Sequence, residues 1–323
     1  MPQFQSEIQK DKMSAASFEV VSEFSGERLD VAIAALMEIS RTAAADLIDD
    51  NLVKVNGKPG SRSYRVQQAD LIEILPKPAS LAEPELIAAD FAVEIPVLYS
   101  DDDLVVVNKP AGVAAHSSVG WHGPNVLERL LQQGHRISTS GAAERQGIVQ
   151  RLDVGTSGVM VVAKSESAYS SLKRQFKERS VTKIYLTIVQ GYPDPASGTI
   201  DAPIGRHPGA DYRFAVVAGG RPSITHYDTL EMYRYASLLR VELETGRTHQ
   251  IRVHMAAVRH PCVGDLTYGA DPTLAAKLGL KRQWLHAAEL EITHPATNER
   301  MHFSAQLAPD LAAAQDLLAN ALN

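Results

Sequence analysis

Four short segments of this 323-residue chain are richer in polar and conformationally special residues than packing requires: 108–116 (NKPAGVAAH), 147–165 (GIVQRLDVGTSGVMVVAKS), 183–191 (KIYLTIVQG) and 243–254 (LETGRTHQIRVH). In the second, Asp153 follows an apolar run and opens a loop containing Gly155, Thr156, Ser157 and Gly158. A carboxylate at a strand end is placed to face a cleft. Arg151, two residues earlier, shares its face if the strand is regular. A neighbouring guanidinium favours the ionised carboxylate that nucleophilic or base chemistry needs. Ordinary turn chemistry also puts Asp in such loops. In the fourth segment Gly246 permits a tight turn and Thr248 is expected to cap a helix. Arg247 then falls at that helix's N-terminus, where the macrodipole disfavours a cation. A cation there points to an anionic partner, a carboxylate or a phosphate. His249, Arg252 and His254 add donors. The two histidines are five residues apart and there is no H-E-x-x-H pattern, so no metal site is expected.

Elements must hold these segments. Over the first 76 residues, FEVV reads as a strand and RLDVAIAALMEI as a helix with Leu29, Ile33, Leu36 and Met37 at helical spacing. Ser40 is placed to cap a second helix, SRTAAADLIDDN. LVKVNGKPG is a strand and turn marked by Asn56-Gly57, and ADLIEILP is a closing strand. Pro78 and Pro84 mark 77–94 as a linker. A larger unit follows. IPVLYS and DLVVVNKP read as strands, GIVQRLD and GVMVVAKS as two apolar strands around a loop, SAYSSLKRQFKERS as an amphipathic helix, and TKIYLTIVQG as a strand. THYDTLEMY and SLLRVELETG read as antiparallel strands, and THQIRVHMAAVRH as a helix. Strands and helices do not alternate regularly, which favours an α+β fold on a mixed or antiparallel sheet. The expected division is a disordered tail at 1–16, a small domain at 17–76, a linker at 77–94, a main domain at 95–312 and a terminal helix at 313–323.

Composition excludes several classes. Apolar residues make up 45 % of the chain, enough for a core, and charged residues 22 %. No run approaches the ~20 apolar residues of a membrane span, and the polar opening MPQFQSEIQKDKM lacks a signal-peptide core. The single cysteine, Cys262, allows no internal disulfide. Net charge is −6, but residues 1–100 hold 9 basic against 16 acidic residues, leaving 23 against 22 in the remainder. Within that remainder, 173–183 (KRQFKERSVTK) concentrates five cations around one acid, either a solvated helix face or a nucleic-acid contact. Lys109 is either a phosphate contact or part of a turn. Arg206 and His207, in IGRHP, are candidates to line a binding groove. Trp121, Trp284, Tyr268 and Cys262 read as packing residues.

RLDxxTSG and GRTHQIRVH, with KIY, LHA at 285–287 and GDxxYG at 264–269, closely resemble the RluA/RluD-type RNA pseudouridine synthases over roughly residues 95–305. The N-terminal order of helices and VNG hairpin resembles the alpha-L RNA-binding module. The resemblance implies a mixed or antiparallel-sheet catalytic domain that isomerises uridine to pseudouridine with no cofactor and no metal. It implies Asp153 as the catalytic aspartate, Tyr185 as the tyrosine stacking on the target base, and Arg247 as the basic residue paired with the aspartate. Arg151, Arg206, Arg252 and Lys109 are the implied substrate contacts. In the small domain Arg41, Lys54, Lys58, Arg62 and Arg65 match the family's RNA-contacting cations, whereas Ala43, Ala44 and Ala45 replace basic residues usual in its second helix. Gln150 stands where many members have His, and Val154-Gly155 where Lys-Asp is frequent. The implied setting is a cytoplasmic monomer acting on RNA, with ribosomal RNA of the large subunit favoured and no membrane partner. The alternatives are transfer RNA as substrate, a non-catalytic RNA-binding assembly factor, and a glycoside-type hydrolase pairing Asp153 with Glu244.

Overall fold

The computed structural model describes residues 16–37, 39–49, 52–75, 90, 92–117, 121–208 and 210–320. Nearly all of the tail expected at 1–16, and most of the linker expected at 77–94, lie outside the described residues. The chain divides into two compact units, Met1–Ala82 with Pro208–Tyr212, and Glu83–His207 with Arg213–Asn323.

In the first unit, strand β1 (Ala16–Glu19) precedes helices α1 (Leu29–Leu36) and α2 (Arg41–Asp49), hairpin β2 (Val53–Val55) and β3 (Lys58–Pro59), and strand β4 (Leu71–Ile74). The strands pair in the order β1-β4-β2-β3, all antiparallel. Asn56 and Gly57 take φ of 51° and 75°, the left-handed pair a two-residue hairpin turn needs. Leu29 and Ile33 of α1 and Leu47 and Ile48 of α2 pack on Val53, Ile72 and Ile74. Buried Asp30 accepts from Arg28 at 2.9 Å and Arg41 at 3.2 Å, which holds its carboxyl below the usual range.

The second unit is built on a nine-stranded sheet. In chain order its elements are β5 (Val97–Ser100), β6 (Leu104–Lys109), α3 (Val126–Gln132), β7 (Ser157–Ala163), α4 (Glu166–Glu178), β8 (Thr182–Gln190) and β9 (Ser197–Asp201). A two-stranded ribbon follows, β10 (Ile204–His207) and β11 (Ala210–Val216). Then come β12 (Ile224–Met232), β13 (Ala236–Leu243), α5 (Gln250–Ala257), α6 (Pro272–Lys277), β14 (Leu285–Thr293), β15 (Arg300–Ser304) and α7 (Pro309–Asn320). The sheet runs β5-β6-β7-β14-β8-β13-β12-β9, with β15 also on β14. Its pairs are antiparallel except β7 with β14, which run parallel.

Period-two alternation serves both faces of the sheet. Val105 and Val107 of β6 join Met160, Tyr185, Val241 and Ile251 in one core. Leu104 and Val106 join Val161, Leu172 and Phe303 in another, under α4. Ser165 caps α4, accepting from the Ala168 N–H at 3.1 Å. Gly158 lies where β7 meets β14. Its φ is +118°, and a Cβ there would fall 2.1 Å from the Ala287 carbonyl oxygen, so only glycine permits this parallel contact.

The structure corrects three expected elements. Residues 147–153 are not a strand: Gly147 at φ +69° breaks the extended run, and only an isolated bridge joins Ile148 to Val162. The helix after GRTHQ starts at Gln250, and its N-cap is His249 at φ 55°, not Thr248. The terminal helix over APDLAAAQDLLANAL forms as Pro309–Asn320, so it starts before the expected domain bound at 313, with proline in its first turn. It also belongs to the main core, where Leu311, Ala314 and Leu318 pack with Trp284, Tyr233 and Leu238. Trp284, Cys262 and the helix α4 stand as the sequence predicts, the first two fully buried. Leu311→Ala is expected to lower unfolding free energy by about 2–5 kcal/mol, read as a shifted urea midpoint with unchanged slope. A loss under about 1 kcal/mol would make the helix peripheral.

Candidate active site

Asp153 lies in an irregular loop rather than at a strand end. The loop closes on itself through the Thr156 N–H and the Asp153 carbonyl, 3.0 Å apart. Because the pleat does not continue through 151–153, the two side chains part. Arg151 is exposed and donates to the Thr248 hydroxyl, while Asp153 turns inward with 18 % of its side chain exposed. Three ties fix the loop. Lys109 Nζ reaches the carbonyls of Pro110, Val113 and Val154 at 2.9, 2.7 and 3.3 Å. Arg282 donates to the Gly155 carbonyl at 2.8 Å and, through its other face, to Asp310 at 2.7 and 2.8 Å. The Ser157 hydroxyl meets His286 Nδ1 at 2.9 Å.

Lys109 is therefore not a phosphate contact: it is fully buried. Its three ammonium protons match three carbonyls, although burial and the Arg282 charge pull its pKa down to about 7. The aspartate's cationic partner also differs from expectation. Arg252, not Arg247, faces Asp153, with Nη1 3.4 Å from Oδ2. Its remaining donors grip Asp265 at 2.7 and 3.0 Å. The reason is where the helix begins. With α5 starting at Gln250, Arg252 lies in its first turn and points inward, while Arg247 precedes the helix and donates to the Pro222 carbonyl at 3.2 Å. Gln250 locks this start, accepting from the Arg247 N–H at 3.0 Å and donating to the Ile224 carbonyl at 2.9 Å.

Tyr185 sits on β8 opposite Val241 and Ala287 and lines the same cleft as Asp153. The cleft encloses about 440 Å³. Arg151, Lys177, Arg179, Lys183 and Arg247 supply its cations, against Asp153 and Glu244. Glu244 also lines the cleft and pairs with His226 at 2.9 Å and Arg179 at 3.5 Å. Gln150 also lines the cleft, and its side-chain amide nitrogen is buried with no partner among the described residues. Arg206 lies 4.5 Å over the Phe214 ring, outside the cleft lining. In the first unit Arg41 and Arg62 are paired with Asp30 and Asp49, Arg65 donates to the Gly26 carbonyl, and Lys54 and Lys58 lie on β2 and β3. The sequence reading missed Asp265, Arg282 and the inward role of Arg252. The GD pair of GDxxYG was the available signal for the first.

Electrostatics favour an ionised Asp153. Burial raises its pKa, but the influence of His249 and the charges of Arg252 and Arg151 outweigh it and hold the carboxyl below the usual range. Burial and the Asp153 charge push the Tyr185 phenol far above its ordinary value, so it remains a neutral O–H. Burial pulls His249 down to about 4 and His286 likewise to about 4. Among the described residues no group of three His, Cys, Asp or Glu side chains is arranged to hold a metal ion, and no helix is long and apolar enough to cross a membrane.

Comparison with known proteins adds the following. The family described as RNA pseudouridylate synthase matches residues 103–257, and the S4 domain matches residues 27–72. An uncharacterized RNA pseudouridine synthase of Mycobacterium tuberculosis is 55 % identical over 308 residues, covering 95 % of this chain and 99 % of its own. Ribosomal large subunit pseudouridine synthase D of Nitrosomonas europaea is 38 % identical over 93 % of this chain and 87 % of its own. The solved human RNA pseudouridylate synthase domain containing 1 shares 29 % identity at a TM-score of 0.55, covering 71 % of this chain and 94 % of that one.

Two outcomes test this geometry. Arg252→Met leaves Asp265 charged in a dry site and should cost about 3–5 kcal/mol, while Arg247→Ala should stay within about 0.5 kcal/mol; urea unfolding ranks the two, and a reversed order would reject the assignment. The second concerns pH. The folded-state values of His249 and His286, about 4, lie below the unfolded value of 6.5. The unfolded chain then binds more protons across that window, so stability should fall as pH drops from 6.5 towards 4. Thermal melts should show this, less steeply in His249→Asn; a flat melting temperature would contradict it.

Proposed function

Since the chain belongs to the RNA pseudouridylate synthase family, we propose that it isomerises specific uridines of large-subunit ribosomal RNA to pseudouridine through the Asp153 carboxylate. The enzyme class and the N-terminal S4 domain follow from the family. The observation that carries the finer reading is the buried pair of Asp153 with Arg252 in a cleft shared with Tyr185.

The reaction breaks the bond from ribose to base nitrogen, turns the base, and joins a ring carbon to the same ribose carbon. Atoms and electrons balance within the substrate, so no external redox partner is required. The stacked uridine must first leave its helix or loop. The Tyr185 ring, on the wall of the cleft, offers a replacement stacking surface worth roughly 1–3 kcal/mol per base. Asp153, kept ionised by its neighbours, then acts on the ribose either as nucleophile or as base. Cations at the cleft rim (Arg151, Lys177, Arg179, Lys183 and Arg247) suit the phosphates flanking the extruded nucleotide. The unpartnered Gln150 amide gives the cleft a donor for an oxygen of the nucleotide.

The preference for large-subunit ribosomal RNA is supported by relatives named ribosomal large subunit pseudouridine synthase D, 38 and 39 % identical over most of the chain. In the S4 domain Arg41, Lys54, Lys58, Arg62 and Arg65 serve as auxiliary backbone contacts. Two of the five are internally paired, which suits a weak grip rather than the main anchor.

Ribosomal RNA carrying tritium at uridine carbon 5 tests the reading. The chain should release tritium to water while the RNA stays intact and gains pseudouridine, and Asp153→Asn should lower release by at least about a thousandfold. Substantial release by Asp153→Asn would mean that another group does the chemistry. Release from transfer RNA alone would move the substrate, and free uracil would mean hydrolysis.

A further inference from the structure

Tyr268, a packing residue by its sequence setting, carries a hydroxyl with two partners among the described residues. The Phe214 backbone N–H lies 3.1 Å away and His249 Nδ1 2.8 Å away. A backbone N–H can only donate. The hydroxyl accepts from Phe214 and keeps its single proton available for His249 Nδ1. An imidazole whose Nδ1 accepts carries its own proton on Nε2. That nitrogen lies 3.9 Å from Asp153 Oδ2, the same oxygen that Arg252 Nη1 approaches at 3.4 Å. Both donors thus face one oxygen of the carboxylate.

The surroundings allow the ring little freedom. Phe214 and Tyr268 stand edge-on to the imidazole, with centroids at 5.8 and 5.7 Å and interplanar angles of 74° and 83°. Arg252 lies over the Tyr268 ring at 5.0 Å. The His249 backbone, at φ 55°, sets the ring at the entry to α5.

We propose that His249 is a positioning residue for Asp153: Tyr268 and the Phe214 backbone fix it as the Nε2–H tautomer, which, with Arg252, holds Oδ2 and leaves Oδ1 to meet the ribose. At 3.9 Å the N–H acts through its dipole, across a gap longer than a hydrogen bond. A neutral donor orients the carboxylate without cancelling its charge. A second full cation beside Arg252 would hold the anion more tightly and blunt it. Burial keeps the imidazole neutral at pH 7. The inference rests on Asp153 being the reacting carboxylate.

The test begins with the full chain, free of RNA and labelled with nitrogen-15 in histidine. Two-bond nitrogen–proton correlation at pH 7, with His249→Asn for assignment, should show His249 neutral with its proton on Nε2. An Nδ1–H tautomer or a charged ring would overturn the proposal, whatever the activity. Tyr268→Phe then removes one hydroxyl and keeps the ring. His249 should move to a mixture of tautomers, and kcat for pseudouridine formation should fall about tenfold to a hundredfold with KM unchanged. An unchanged kcat would overturn the proposal, and so would a raised KM at full kcat, which would make Tyr268 an RNA contact. If Tyr268→Phe fails to fold, the tautomer in the unsubstituted chain still decides. Activity in Asp153→Asn would sink the underlying reading; an inactive Asp153→Asn beside a fully active Tyr268→Phe would sink this inference alone.

Discussion

A guanidinium with 4 % of its side chain exposed cannot be left without anions, and Arg252 has two: Asp265, 1 % exposed, and Asp153. Removing either partner would leave a charge in a dry environment. Much of the site follows from meeting this demand. Helix α5 must begin at Gln250 for Arg252 to point inward. The Gly264–Asp265 turn must bring its carboxylate under the helix, and a Cβ at Gly264 would lie 2.1 Å from the Arg282 carbonyl. The same Arg282 then clasps the loop that bears Asp153. The charge that keeps Asp153 ionised is thus also a structural ion.

The cations fall into two groups with different physics. Arg252, Arg282 and Lys109 are buried and matched to carboxylates or carbonyls. Their protons are committed inside the fold and they give the carboxylate a fixed place. Arg151, Arg179, Lys183 and Arg247 line the cleft, and there the phosphates of a polyanion can compete with water for them. A basic residue's type, read from sequence, does not say which group it joins. Depth does.

That distinction explains what sequence could and could not reveal. The hairpin at Asn56-Gly57, the amphipathic α4 and the apolar β6 and β7 were legible because their signals are local: left-handed turn residues, helical spacing, continuous apolar runs. The mixed sheet was legible from the irregular order of elements. The partner of Asp153 was not. Choosing between Arg247 and Arg252 depends on a one-residue shift of a helix cap, from Thr248 to left-handed His249, and on side-chain bonds from Gln250. Lys109 was misjudged for a related reason, since its acceptor at Val154 lies 45 residues away. The strand expected at 147–153 failed because an apolar run can be buried without joining a ladder. The terminal helix was legible as a helix, but its docking on Trp284 was not, because that contact leaves no periodic trace in either segment.

The single parallel pairing in the large sheet, β7 with β14, also sets an order in time. Its two registered pairs join Ser157 and Gly158 to His286 and Ala287, and Arg282 reaches back 127 residues to Gly155. During synthesis the loop bearing Asp153 therefore emerges long before the residues that hold it. The S4 domain has short-range pairings within residues 16–75 and can close as soon as it emerges. A growing chain thus has its S4 module before the Asp153 loop is seated, which must wait until Arg282 and His286 have been made.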